Sequence, residues 1–312
     1  MNDHRDGIDV LCVGTAAYDL IFAVDAHPGA DEKRAAGDLA RCGGGPAANA
    51  ALTISRLGRT VAFAGYLGHD PFGDENLEDL IAAGVRTDWV LRGPLPTPLS
   101  AVIVKPDGQR SLVYYRATSG FLPPDSIDLG QVSPELILFD GHEPHVSIPL
   151  ADEARDRGIP IILDAGSVRQ GTVELAGRCN HLVCALKFAL DYTGLDDEDE
   201  ALDRLCRLAP AVVITLGNRG LIWGKGRKRG RQPAFAVNAV DTTGAGDIFH
   251  GAYAAALIQG RKWPDVLRYA SAAAALCCTK MGARLGIPSK EEVETFLAGD
   301  PQFASQISID GG

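Results

Sequence analysis

The chain has 312 residues, of which 46% are hydrophobic and 22% are charged, and its formal net charge at pH 7 is −10. An acidic chain lacks the basic footprint that a general affinity for nucleic acid or for anionic membranes requires. The length and composition are those of a globular enzyme with one large core, and they exclude a disordered or fibrous chain.

The N-terminal residues contain no apolar signal core, and no uninterrupted apolar stretch reaches transmembrane length. The seven cysteines show neither a Cys-x-x-Cys pair nor a zinc-like spacing. They are expected to be reduced thiols. We therefore expect a cytoplasmic protein with no membrane partner.

Short apolar runs alternate along the chain with helical patterns such as those at 46–58 and 74–84. The apolar runs are IDVLCVG (8–14), TVAFAGYLG (60–68), ELILFDG (135–141), PIILDAG (160–166), HLVCA (181–185) and AVVITLG (211–217). This alternation predicts an α/β fold, a three-layer and mainly parallel sheet with helices on both faces. Several runs end in Gly or Asp, at the carboxyl edge where open α/β sheets bind ligands.

Two stretches, 18–42 and 97–118, break this pattern and resemble antiparallel ribbons, the second with a turn at Pro106–Gly108. Together they predict a small antiparallel β lid on a single domain spanning 1–312. An exposed ribbon leaves edge and apolar surface to be covered, so we expect a homodimer formed through the lid. The basic run 225–231 is expected to be a solvated hairpin tip and not a nucleic-acid site.

The stretch DTTGAGDIFHGAYAAAL, at 241–257, places glycines directly before an apolar helix expected over Ala245–Gln259. Backbone N–H groups of Gly244, Ala245 and Gly246, together with the positive end of the helix dipole, predict an anion hole that needs no lysine. Asp247 in that turn is expected to stay ionised and can serve as a general base. By spacing alone, helix capping explains this aspartate equally well.

This stretch and GGGPAANAALTISRLG, at 43–58, resemble the two signatures of the PfkB, or ribokinase-like, sugar kinases. TLGNRG at 215–220 and GARLGIP at 282–288 follow in family order, and the likeness runs almost end to end. The motifs are most similar to those of the sulfofructose-kinase and ketohexokinase-like branch. Two long signatures about 200 residues apart are a far more specific signal than one glycine triplet.

The resemblance implies ATP-dependent phosphorylation of a hydroxyl, expected to be primary, on a small sugar or sugar derivative. It makes Asp247 the catalytic base and the Gly244–Gly246 turn the site of the transferred phosphoryl group. The other implied positions are Asp19, Gly44, Gly45 and Asn49 for the sugar, Thr215, Gly217 and Gly220 for the nucleotide, and Asp241, Thr243, Gly282 and Gly286 for a monovalent cation such as potassium. Magnesium is implied with ATP, because transfer of a γ-phosphoryl group requires its charge to be neutralised.

The sequence departs from the family where many relatives carry Asn-x-x-Glu, because Ala185 and Phe188 stand there. Asp164 and Lys187 are candidates to order the water shell of the metal instead. We expect the acceptor pocket to be lined by His142 and Glu143 and, from the ribbon, by Arg110, Tyr114 and Arg116.

Two alternative functions stay open, a nucleoside kinase of the same superfamily and a non-catalytic sugar sensor. A dinucleotide-dependent oxidoreductase is disfavoured, because GGGPAAN does not match Gly-x-Gly-x-x-Gly.

Overall fold

A computed structural model describes residues 7–116 and 121–299 of the chain. The strands, in chain order, are β1 (Ile8–Val13), β2 (Ala17–Ala23), β3 (Asp38–Gly44), β4 (Val61–Gly68), β5 (Arg86–Gly93), β6 (Leu99–Val104), β7 (Arg110–Tyr115), β8 (Pro134–Phe139), β9 (Ile161–Ala165), β10 (His181–Ala185), β11 (Ala211–Thr215), β12 (Leu221–Lys225) and β13 (Lys228–Gln232). The helices are α1 (Pro46–Arg56), α2 (Pro71–Ala82), α3 (Pro144–Asp156), α4 (Gln170–Ala176), α5 (Leu186–Thr193), α6 (Glu198–Leu205), α7 (Ala245–Ile258), α8 (Trp263–Cys277), α9 (Ala283–Gly286) and α10 (Lys290–Ala298).

The main sheet has the strand order β13-β12-β11-β10-β9-β8-β1-β4-β5. The strands from β5 to β11 in this order pair in parallel, and β12 and β13 add an antiparallel hairpin at one edge. Val10 and Cys12 of β1 pack into one apolar core, whereas Leu11 and Val13 pack into the core on the opposite face. The predicted three-layer α/β fold is therefore confirmed.

The smaller sheet, here called the lid, has the order β3-β2-β6-β7. Its two antiparallel pairs, β2 with β3 and β6 with β7, correspond to the two predicted ribbons. The ribbons join side by side through a parallel pairing of β2 with β6, which the sequence did not indicate. The Pro106–Gly108 turn connects β6 to β7, with the Gly108 N–H donating to the Lys105 carbonyl oxygen. The end of the second predicted ribbon, 117–118, lies outside the described residues.

Local signals account for the ends of several elements. α7 begins directly after Gly244, which has φ 75°, a left-handed conformation that glycine adopts at low cost. The basic run 225–231 forms the tip and second strand of the β12–β13 hairpin, as expected. The acidic run 196–200 leads into α6, which begins inside it and is capped by Asp197. In the described ranges, none of the helices has the length and hydrophobicity needed to cross a membrane.

Candidate active site

Packing of α7 against α1 brings the two glycine-containing signatures together at the carboxyl edge of the main sheet. A Cβ atom on Gly251 of α7 would lie 2.7 Å from the carbonyl oxygen of Ala50 in α1. Glycine at this position therefore permits the close approach of the two helices. As a result, side chains at the N-terminal ends of both helices meet.

Asp247 is joined to Asn49 across this helix pair. The Asn49 Nδ2 atom donates a hydrogen bond to Asp247 Oδ2 over 2.8 Å. This contact links residues 198 positions apart in the chain. The side chain of Asp247 thus turns toward α1, and its hydrogen bond goes to an amide of the other signature and not to an N–H group of its own helix.

The surroundings of Asp247 favour its protonated form more than the sequence suggested. Burial raises the pKa of Asp247 to about 7, and the nearby charge of Asp164 raises it further, while the Asn49 hydrogen bond lowers it. Loss of solvation is the largest of these effects. A carboxylate with a pKa near 7 is well matched to accept a proton at neutral pH.

The backbone N–H groups of the Gly244–Gly246 turn differ in whether they already have a backbone acceptor. The Ala245 N–H donates to the Thr242 carbonyl oxygen over 3.3 Å. Within the described residues, the N–H groups of Gly246 and Asp247 have no backbone acceptor, as expected for the first turn of a helix. A Cβ atom on Gly246 would meet open space. These two amides are therefore available to an anion approaching the N-terminus of α7.

Asp19 extends from the lid toward the same place. It is buried, and burial raises its pKa, while a hydrogen bond with Ser100 and the charges of Arg284 and Arg110 lower it. A Cβ atom on Gly44 would lie 2.3 Å from Asp19 Oδ2, so this glycine makes room for the carboxylate. Gly45 has φ 94° and lies directly before α1, where a Cβ atom would clash with the Thr15 carbonyl oxygen.

Arg284 supports this arrangement and was missed by the sequence reasoning. Its guanidinium, in a side chain only 6% exposed, reaches Asn49 Oδ1 over 3.3 Å, Asn76 Oδ1 over 2.6 Å and Asp79 Oδ2 over 3.1 Å. Because Arg284 holds the oxygen of the Asn49 amide, the nitrogen of that amide is directed at Asp247. The available signal was a single charged residue inside the Gly-Ala-Arg-Leu-Gly segment.

The predicted nucleotide residues lie at the end of β11. The Thr215 Oγ1 atom donates to the Cys184 carbonyl oxygen, and a short 3-10 turn at Gly217–Arg219 follows. Gly217 (φ 62°) has open space where a Cβ atom would lie, whereas a Cβ atom on Gly220 would lie 2.0 Å from the Gln232 carbonyl oxygen. Gly220 is thus required by packing, and Gly217 leaves an open surface beside the strand end.

The start of α5 has no polar pair, as the sequence indicated. Phe188 is fully buried in the core and stacks on Tyr192. Lys187 is bound to Asp191 over 2.6 Å on the surface, so it is not directed at the metal shell for which it was considered. Asp164, the other candidate for that role, instead faces His250, with Oδ2 3.2 Å from Nδ1.

Asp241 connects the two loops that were predicted to hold a monovalent cation. Its Oδ1 atom accepts hydrogen bonds from the N–H and the hydroxyl of Thr243, and its Oδ2 atom accepts one from the Gly282 N–H over 2.9 Å. Gly286 lies against Cys277, where a Cβ atom would be 2.6 Å from the Cys277 carbonyl oxygen. Asp241, Thr243 and Gly282 therefore belong to one loop cluster, and Gly286 ends the short helix α9 that follows it. In the part of the chain that the structure describes, His, Cys, Asp and Glu do not form groups of three or more that could hold a metal.

The predicted acceptor residues divide into two groups. Arg110 and Tyr114 lie on the lid face that carries Asp19, because Tyr114 pairs with Ser100 and Ser100 with Asp19. Arg116 lies at the base of the lid, where it forms a 2.6 Å ion pair with the buried Glu143.

Comparison with known proteins identifies relatives over nearly the whole chain. The family described as "pfkB family carbohydrate kinase" matches residues 8–290. Ribokinase from Bacillus subtilis is 30% identical over 93% of this chain and 99% of its own length. The structure of a putative ribokinase from Agrobacterium tumefaciens superposes with a TM-score of 0.83 at 31% identity, covering 93% of this chain and 97% of that one. Arabidopsis thaliana ribokinase complexed with ribose and ATP gives a TM-score of 0.82 at 28% identity, covering 94% and 100% of the two chains.

Proposed function

Because the chain belongs to the pfkB family of carbohydrate kinases, phosphotransferases that act on alcohol groups, we propose that it transfers the γ-phosphoryl group of ATP to a primary hydroxyl of a small sugar or sugar derivative. The observation that carries the proposal is the contact between Asn49 and Asp247 beside the unpaired amides of α7. It combines a general base with an anion site within one helical turn.

In this proposal Asp247 removes the proton from the acceptor hydroxyl as the oxygen attacks the γ-phosphorus and ADP leaves. The N–H groups of Gly246 and Asp247 stabilise the negative charge on the transferred group, supported by the turn from Gly244 through Ala245. Asn49 orients the base. Asp19 accepts hydrogen bonds from sugar hydroxyls above Gly44 and Gly45.

The nucleotide would lie against the loop of Thr215, Gly217 and Gly220, because that loop follows β11 at the carboxyl edge of the sheet. Magnesium bound to ATP would neutralise charge on its phosphates. The start of α5 offers Ala185 and Phe188 and no oxygen ligand from either side chain, so we assign no step to a metal bound by this helix. The loops of Asp241, Thr243, Gly282 and Gly286 would hold potassium through oxygen atoms, and a comparison of rates in potassium and sodium buffers tests that requirement.

The proposal is tested with an assay coupled to ADP formation, using ATP, magnesium and a panel of ribose, fructose and adenosine. Phosphorylation of a sugar supports it. Turnover of adenosine alone would favour the nucleoside kinase alternative. Binding of sugars without any ATP turnover would establish a sensor and contradict the proposal.

We also propose a homodimer formed through the lid. The lid face opposite Asp19 carries apolar side chains, among which Val113 is 72% exposed, Tyr115 57% and Leu39 55%. A monomer would leave this patch uncovered. Sedimentation is expected to show a dimer that Val113→Asp converts to monomers, whereas Val168→Asp, at an exposed site away from the lid, leaves it intact. A monomeric wild-type protein contradicts the assignment.

A further inference from the structure

A second cluster of polar side chains lies at the carboxyl edge, beside the reacting groups and outside their hydrogen-bond network. Its members are Tyr114 of β7, Arg116 directly after β7, His142 after β8 and Arg169 after β9. Strands β8 and β9 are neighbours in the main sheet, so their following loops emerge side by side. The fold thus gathers these side chains from three separate segments of the chain.

Arg116 is held firmly and its charge is balanced. Besides its ion pair with Glu143, it donates to the His142 carbonyl oxygen over 3.1 Å, and its guanidinium lies over the Phe121 ring at 4.7 Å. Glu143 in turn accepts the Leu122 N–H. This arginine therefore anchors the base of the lid and supplies little uncompensated charge.

Arg169 is different, because within the described residues both hydrogen-bond partners of its guanidinium are uncharged. Its guanidinium donates to the Ser167 hydroxyl and reaches His142 Nδ1 over 3.2 Å, an atom that Arg116 also approaches over 3.3 Å. Arginine can only donate, so this nitrogen must accept and the His142 ring is neutral. Burial, together with both arginines, lowers the pKa of His142 to about 4, which agrees with a neutral ring.

Within the described residues, no carboxylate forms an ion pair or hydrogen bond with Arg169. Asp140, which lies close to His142 in the chain, accepts backbone N–H groups of Thr15, Ala47 and His142 instead. Asp164 faces His250. A half-buried guanidinium with spare donors and no bonded counter-ion is suited to an external oxyanion.

The neighbours of Arg169 indicate that its guanidinium lies close to the proposed acceptor site. Tyr114, whose pKa burial raises and both Arg116 and Arg169 lower, lies on the same lid face as Asp19. Asp164 lies within electrostatic range of both Arg169 and Asp247. The cluster is therefore next to the place where the acceptor hydroxyl would meet its base.

We propose that the acceptor carries an anionic group, a carboxylate or a phosphate, and that Arg169 binds it with Tyr114 and His142 as further polar contacts. The substrate class is then a sugar acid or a sugar phosphate in place of a neutral sugar. This inference rests on the proposed kinase function and specifies its acceptor.

Three acceptors that share one carbon skeleton test the proposal. D-Fructose is neutral, 2-keto-D-gluconate replaces its C1 hydroxymethyl group with a carboxylate, and D-fructose 1-phosphate carries a phosphate there, while all three retain the C6 hydroxyl. We expect kcat/KM of one anionic acceptor to exceed that of fructose by about 100-fold or more. The more active of the two identifies the oxyanion.

The variant Arg169→Gln separates recognition from structural support. It is expected to reduce kcat/KM for the preferred anionic acceptor by about 100-fold while changing the value for fructose less than threefold, and Arg169→Lys is expected to retain part of the preference. Arg155→Gln on α3, where the arginine is 55% exposed, serves as the matched surface control. Circular dichroism and the unfolding midpoint verify that each variant is folded.

Calorimetry with the variant Asp247→Asn measures the binding of each acceptor without turnover, so it tests the inference separately from the kinase activity. Tight binding of an anionic probe with weak binding of fructose supports the anion subsite even if no acceptor is phosphorylated, a result that would count against the kinase proposal alone. The inference is overturned if neither anionic probe binds, if fructose is used as well as both anions, or if Arg169→Gln lowers all three values equally.

Discussion

The two ends of the site are built in contrasting ways. The transfer end, Asn49 with Gly244–Asp247, uses one carboxylate and backbone amides that lie within two continuous signatures. The acceptor end, Tyr114, Arg116, His142 and Arg169, uses two arginines and two neutral polar side chains from three separate segments of the chain. Chemistry common to a family can be encoded in a local turn, whereas recognition of one acceptor is assembled from loops that can vary independently.

The largest expected effect is at the transfer end. Asp247→Asn removes the proton acceptor but retains a side-chain oxygen that can accept from Asn49, so kcat should fall by about two to four orders of magnitude with little change in stability. Steady-state rates and unfolding midpoints measure the two quantities. The exposed Asp265→Asn, also in the first turn of a helix, is the control. A near wild-type rate for Asp247→Asn would remove the general base from the mechanism.

This contrast also explains what the sequence could predict. The parallel strands, α7 and the hairpin at 225–231 follow from local periodicity and turn residues, and the structure confirms them. The parallel pairing of β2 with β6 and the contacts of Arg284 depend on segments far apart in the chain, which periodicity does not record. Arg169 was missed for the same reason, because a single arginine after a strand acquires meaning only when His142 and Tyr114 lie beside it.

A smaller effect is expected from Arg284, which supports the transfer end without belonging to it. Arg284→Gln leaves the buried Asn49 and Asn76 oxygens without their donor, so the free energy of unfolding should fall by about 3 kcal/mol, and kcat should fall as Asn49 loses its orientation. Urea unfolding measures the first quantity. Asp79→Asn tests one partner separately; that carboxylate is 52% exposed, so its change should be much smaller. Equal effects of the two variants would contradict the central role of the buried guanidinium.

The smallest expected effect is a shift in the pH dependence of kcat/KM, which tests whether the two ends of the site are independent. With a pKa of about 7, Asp247 should give a kcat/KM that is constant at high pH and falls about tenfold per unit well below pH 7. Asp164 lies between the ends. Its charge raises the pKa of Asp247, and its own pKa is raised mainly by burial and lowered by Arg169. Asp164→Asn should therefore move the inflection of the rate profile to lower pH, by roughly half a unit to one unit.

The raised pKa values of Asp164 and Asp247 also determine how the free energy of unfolding changes with pH. Their pKa values are raised on folding, so their contribution favours the folded state at acid pH and is lost as the pH rises through about 7. Asp164→Asn should flatten this decline in the free energy of unfolding between pH 5 and pH 9, whereas the exposed Asp203→Asn should leave it unchanged. If Asp164→Asn shifts neither the pH–rate profile nor the decline in the free energy of unfolding, Asp164 does not couple Arg169 to Asp247. The two ends of the site would then act separately.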